Sequence, residues 1–173
     1  MTPDAGSVSR PPAEPTEQRS PDRRLEQQTA SRNTQVEFGD LLQAMHRLEA
    51  ALGSPAPFRE PQWATRAGRE LEEVRHALEA HILSAEATGG LFDELNLATP
   101  RVAERVDSLR REHGELMERL SRLERGLEPS PQPADFNSLR READALLTAL
   151  RRHHALEVDL IFACFWTDVG VGD

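Results

Sequence analysis

The chain of 173 residues has one cysteine, no tyrosine and no lysine, so all 21 of its basic residues are arginine. The single Cys164 excludes an internal disulfide framework and any zinc site built from several thiolates. Without lysine there is no Schiff-base chemistry and no P-loop lysine; without tyrosine there is no tyrosyl radical or phenolic acid. The formal net charge of −9 argues against nucleic acid as a partner, because neutralising phosphates needs a basic surface. No apolar run approaches the roughly 20 residues needed to span a bilayer, and the N-terminal stretch lacks the apolar centre of a signal peptide. A soluble, cytoplasmic protein with no membrane partner is therefore expected.

Residues 1–33 are rich in Pro, Ser, Arg, Gln and Glu, with almost nothing to bury, and read as a disordered tail. From residue 34 to 173 the pattern is that of four amphipathic helices with polar, proline-bearing breaks. Thr34-Gln35-Val36-Glu37 forms a capping box ahead of helix A, whose inward side is Phe38, Leu41, Leu42, Met45, Leu48 and Leu52 up to Gly53. Pro61 suits the first turn of helix B, which carries Ala67, Leu71, Val74, Leu78, His81 and Ala85 at steps of four and three. Gly89-Gly90 weakens that helix, although Leu91 to Leu95 can continue it. Thr99-Pro100 is a second start signal. Helix C follows with the seam Val102, Val106, Leu109, His113, Leu116, Leu120, Leu123 and Leu127. Asp135 caps helix D, with the seam Leu139, Ala143, Leu146, Leu150, His153, Glu157, Leu160 and Cys164. No strand-like alternation is present. The fold class is all-α, an antiparallel up-down-up-down four-helix bundle with a disordered N-terminal tail.

Three of these seams place histidine where leucine is normal, at His81, His113 and His153, and His46 lies beside a fourth. Ionisable side chains are rarely buried unless paired or bound to a metal, so one per helix suggests a common site. A common site also requires equal depth. His81 precedes Leu95 by 14 residues and His113 follows Thr99 by 14, which puts both roughly 21 Å from the turn if helix B runs on through the glycines. His113 and His153 differ by about 7 Å on the same rise, and His46 and His81 by roughly 20 Å unless residues 55–63 climb the bundle.

On a helix, residues i and i+4 share a face, so His153 and Glu157 can offer an imidazole nitrogen and a carboxylate oxygen to one ion. Bundle cores hold metals in this way, and such mixed ligands suit iron, manganese or zinc. Glu86 follows His81 by five residues, about 140° around the axis, and so flanks a site at His81 unless the helix widens locally. His154 with Asp159 is the substitute pair if helix D is rotated. His76 is expected at the surface. Cys164 reads as a small buried hydrophobe, and Met45 and Met117 as core. Trp166 to Asp173 reads as a tail packed over one end of the bundle.

His81 through Glu86 followed by Gly89-Gly90-Leu91, then Arg111-Glu112-His113, then His153 through Glu157, together resemble the hemerythrin-like, or HHE cation-binding, family over roughly residues 36–173. The ending Thr167 to Asp173 is similar to that of small bacterial members. The resemblance implies a four-helix bundle with iron, mono- or dinuclear, held by His46, His81, Glu86, His113, His153 and Glu157. It also implies a role in binding or sensing a small gaseous ligand such as dioxygen or nitric oxide, or in handling iron. Two positions depart from the family pattern: Met117 stands where hemerythrin has a second helix-C histidine, and Ala85 where it has the helix-B carboxylate. A single-metal site, a reduced di-metal site and a metal-free interaction module of the same fold all stay open. So does an oxidase or peroxidase working through the metal. No Ser/His/Asp or Cys/His nucleophile stands out.

Overall fold

The computed structural model describes residues 38–54, 60–128 and 135–165. The expected tail, the capping box at Thr34, most of the segment after Pro55, the connector beyond Glu128 and the ending from Trp166 lie outside these residues. Four long helices form: α1 (38–52), α2 (Glu60–Glu86), α4 (Ala103–Leu127) and α5 (Phe136–Phe165), with a short α3 (Leu91–Ala98) between α2 and α4. No strand occurs among the described residues.

Pairs of touching residues give the topology. Phe38 meets His81 and Arg47 pairs with Glu70, so residue numbers fall along α2 as they rise along α1. The same reversal links α2 with α4 through Arg75–Glu124 and His81–His113. It links α5 with α1 through Phe38–His154 and through the Arg140 guanidinium donating to the Ser54 carbonyl. It links α4 with α5 through His113–His153 and the approach of Gly126 to Leu139. Every neighbour is antiparallel, the up-down-up-down bundle that the four seams require.

Local chemistry sets the helix ends. Asp135 accepts the backbone N–H groups of Asn137 and Ser138 through Oδ1, each at 3.1 Å, satisfying two of the donors that a helix start leaves free. Pro100–Val102 makes a single 3₁₀ turn that feeds α4. Helix B does not run through the glycines: α2 ends at Glu86, and Gly89 takes φ +74°, a conformation open to glycine at no steric cost. Gly90 approaches the Ser84 carbonyl so closely that a Cβ would lie 2.3 Å from its oxygen. His81 and His113 nevertheless share a level, because α2 packs directly on α4 and helix continuity is not needed for it.

After this break, α3 folds across one end of the bundle with Leu91, Phe92 and Leu95 buried. It also buries Glu94, whose Oε2 has no partner among the described residues and whose carboxyl is pushed up to about 7 by desolvation. A carboxyl with a raised folded-state pKa carries no penalty below its unfolded value near 4.5 and its full penalty above about 7. Thermal denaturation across this window should therefore show Glu94→Gln gaining about 1 kcal/mol on the wild type at neutral pH, after allowance for solvent screening, and nothing at pH near 4. Parallel pH profiles for the two proteins would contradict this.

The core is two apolar clusters. One joins α1, α2, α4 and α5 around Leu41, Met45, Leu78, Leu116, Leu120 and Leu150. The other gathers Ala85, Phe92, Leu95, Val106, Leu109 and Leu160 towards the α3 end. Three of the four seams pass from one cluster to the other through a polar step: Leu78–His81–Ala85, Leu109–His113–Leu116, and Leu150–His153–Glu157–Leu160. The polar side chains thus form one layer sandwiched between two hydrophobic ones.

Candidate metal centre

In that layer His81, His113, His153 and Glu157 are 0%, 2%, 1% and 3% exposed. One donor atom from each lies within 4.8 Å of all the others. The Glu157 Oε1 oxygen is 3.2 Å from His81 Nε2, 3.6 Å from His153 Nε2 and 4.0 Å from His113 Nε2. Among the described residues none of these four atoms has a hydrogen-bond partner. Buried polar atoms are normally satisfied, since leaving one unpaired costs about 1–3 kcal/mol. Four of them facing one point form a donor set that a single cation would satisfy, at ligand bonds near 2 Å after a small contraction.

The far sides of two imidazoles are occupied. His113 Nδ1 donates to Glu86 Oε1 at 2.6 Å, and His153 Nδ1 donates to Glu112 Oε2 at 3.2 Å. Aromatic rings close the flanks. Phe92 stacks on His113 with centroids 5.5 Å apart, and Phe38 meets His81 edge-on at 5.8 Å while stacking on His154.

The electrostatics follow from this packing. His113 is lowered to about 4 by burial, with its two neighbouring histidines adding to the effect and the Glu86 hydrogen bond opposing it. Burial also acts to lower His153, but Glu157 and Glu112 outweigh it and the imidazole rises. Glu157 is desolvated, which alone would raise it, yet the surrounding histidines draw it down to about 2. A carboxylate that stays ionised beside a neutral imidazole is ready to ligate, because metal ligands must be deprotonated.

The six residues singled out in the sequence are placed differently from one another. His81, His113, His153 and Glu157 are brought together. Glu86 stands one step out, behind His113. His46 is on the exposed side of α1, and the side chain that α1 sends to the layer is Phe38. Helix D presents His153 and Glu157 to the core, leaving Asp159 exposed and His154 half-buried against Phe38. His76 is exposed and Cys164 buried. Sequence spacing did not reveal Glu112, the partner of His153: it adjoins His113 in the chain but serves the histidine of the neighbouring helix.

A four-helix bundle with histidines and a carboxylate converging in its core belongs to the class of metal-binding helical domains. Residues 38–165 match the model of the hemerythrin HHE cation binding domain, and the chain belongs to that family. No curated protein and no solved structure matches the chain.

Proposed function

We propose that the protein binds a single metal ion, iron, through Nε2 of His81, His113 and His153 and a carboxylate oxygen of Glu157. The observation that carries this reading is the convergence, within 4.8 Å, of four buried donor atoms that have no hydrogen-bond partner among the described residues. Three imidazoles with one carboxylate suit iron, manganese or zinc, and membership of a hemerythrin cation-binding family favours iron among them. A single ion is proposed because Glu86 pairs with the outer nitrogen of His113 and His46 is on the exposed side of α1, and no second donor set forms among the described residues.

Bound iron would supply coordination positions beyond the four that the protein fills. The chain's own contribution is to hold the donors in a dry layer between two apolar clusters, with Phe38 and Phe92 walling the imidazoles. Such a setting suits a small, weakly polar ligand, and the role we propose is binding or sensing of dioxygen or nitric oxide. The test is the optical spectrum of anaerobic Fe(II)-loaded protein before and after addition of nitric oxide. A new, reversible absorption band is expected; an unchanged spectrum from fully loaded protein would turn the reading towards iron handling.

A further inference from the structure

The three histidines do not hold their protons alike. A neutral imidazole has one N–H and one lone pair, and the hydrogen bond made by one nitrogen decides which is which. For His113 the outer contact, Nδ1 to Glu86 at 2.6 Å, is far shorter than the inner one, Nε2 to Glu157 at 4.0 Å. For His153 the outer contact to Glu112 is 3.2 Å and the inner one 3.6 Å, beyond hydrogen-bond range. His81 is the reverse: among the described residues neither of its nitrogens makes a hydrogen bond, but the Glu157 carboxylate oxygen lies 3.2 Å from Nε2 and its charge draws the proton to that side. Among the described residues no carboxylate pairs with Nδ1 of His81, and the rings around this imidazole are Phe38, His113 and His153.

We infer that Glu86 and Glu112 are positioning residues that fix His113 and His153 with the proton on Nδ1 and the lone pair of Nε2 turned inward, whereas His81 keeps its proton on Nε2 until a metal arrives. This inference rests on the metal-binding reading only for its purpose; the tautomers themselves belong to the metal-free protein. Two arms of the site are then preset and the third must move its proton before it ligates. The outer carboxylates also raise the basicity of the imidazoles they hold, and loss of such a partner typically costs about 10–100-fold in metal affinity. Glu112 reaches solvent along the groove between α4 and α5, where Arg111 and Arg152 flank it, so its side chain can be changed without opening the core.

The direct test is long-range nitrogen–proton NMR of the imidazoles in metal-free, full-length protein, in buffer alkaline enough for all three to be neutral. The expected spectrum has His113 and His153 protonated on Nδ1 and His81 on Nε2. One common tautomer for all three would overturn the inference. In Glu112→Leu the Nδ1 preference of His153 should disappear, and Glu112→Gln should restore it, because the amide oxygen accepts the same hydrogen bond. Glu115→Leu, in the same groove but without a histidine contact, should change nothing. Cobalt(II) titration of the same proteins should show a 10–100-fold loss for Glu112→Leu, largely recovered in Glu112→Gln. Equal affinities and equal tautomers in the Leu and Gln variants would also overturn it. If no variant and no wild type binds cobalt, the metal-binding reading fails, and the NMR spectrum still decides the positioning roles.

Discussion

Replacing His113 with alanine is expected to reduce bound metal to background, and alanine at His81 or His153 to do the same. Structural four-ligand sites bind with apparent free energies of about 10–16 kcal/mol, so each ligand carries about 3 kcal/mol, more than about a hundredfold in affinity. The real loss is larger in this layer, because Glu157 is only 3% exposed and loses part of the environment that keeps it ionised. His46→Ala and His154→Ala are the matched controls. His46 is on the exposed side of α1, and His154 packs against Phe38 without joining the four converging donors, so both variants should load like the wild type. Elemental analysis after anaerobic Fe(II) loading separates the two groups; equal metal in all five variants would contradict the ligand assignment.

The metal-free protein is expected to lose stability as the pH falls from about 4.5 towards 2, and Glu157→Gln to remove much of that dependence. Burial would raise this carboxyl, but the histidines around it hold it at about 2, below its ordinary 4.5. The folded chain thus binds this proton more weakly than the unfolded chain does. A carboxyl of that kind contributes stability that is complete above the unfolded value and is lost as the pH falls through the folded one. A shift of this size corresponds to about 3 kcal/mol, a substantial share of the 5–15 kcal/mol that holds a typical domain together. Urea denaturation at a series of pH values reads the effect as the difference between wild type and Glu157→Gln. That difference should shrink steadily through the window, and a constant offset would contradict the electrostatic origin.

The seams make the fold legible in the sequence. Leucines at four-three spacing with His81, His113, His153 and Glu157 among them specify helices, and their breaks specify a bundle. Those four positions also revealed the polar layer, because a histidine in a leucine seam can point only inward. What was not legible depends on neighbours across space. Glu86 is one residue too far from His81 to share its face, and that same offset turns it towards His113 on α4. Glu112 is hidden for a related reason, since its own helix says nothing about the imidazole it meets on α5. His46 lies beside the stripe that carries Met45, and register already set it at the margin; the family resemblance alone made it a ligand, and it is exposed where Met45 is buried. The break at Gly89 was visible as a weakness, but the left-handed turn and the capping α3 emerge only when Phe92 and Leu95 find the second apolar cluster.

These observations unite in one physical picture. Two hydrophobic clusters exclude water from a single polar layer, two outer carboxylates preset two of its imidazoles, and Glu157 supplies the negative charge that a cation would balance. The most direct test is the metal content of untagged, full-length protein after anaerobic Fe(II) loading and removal of free ion. One iron per chain is expected, falling to none in Glu157→Ala. Wild-type protein that takes up no iron, manganese or zinc would contradict the metal centre itself, and two ions per chain would contradict the single-ion geometry.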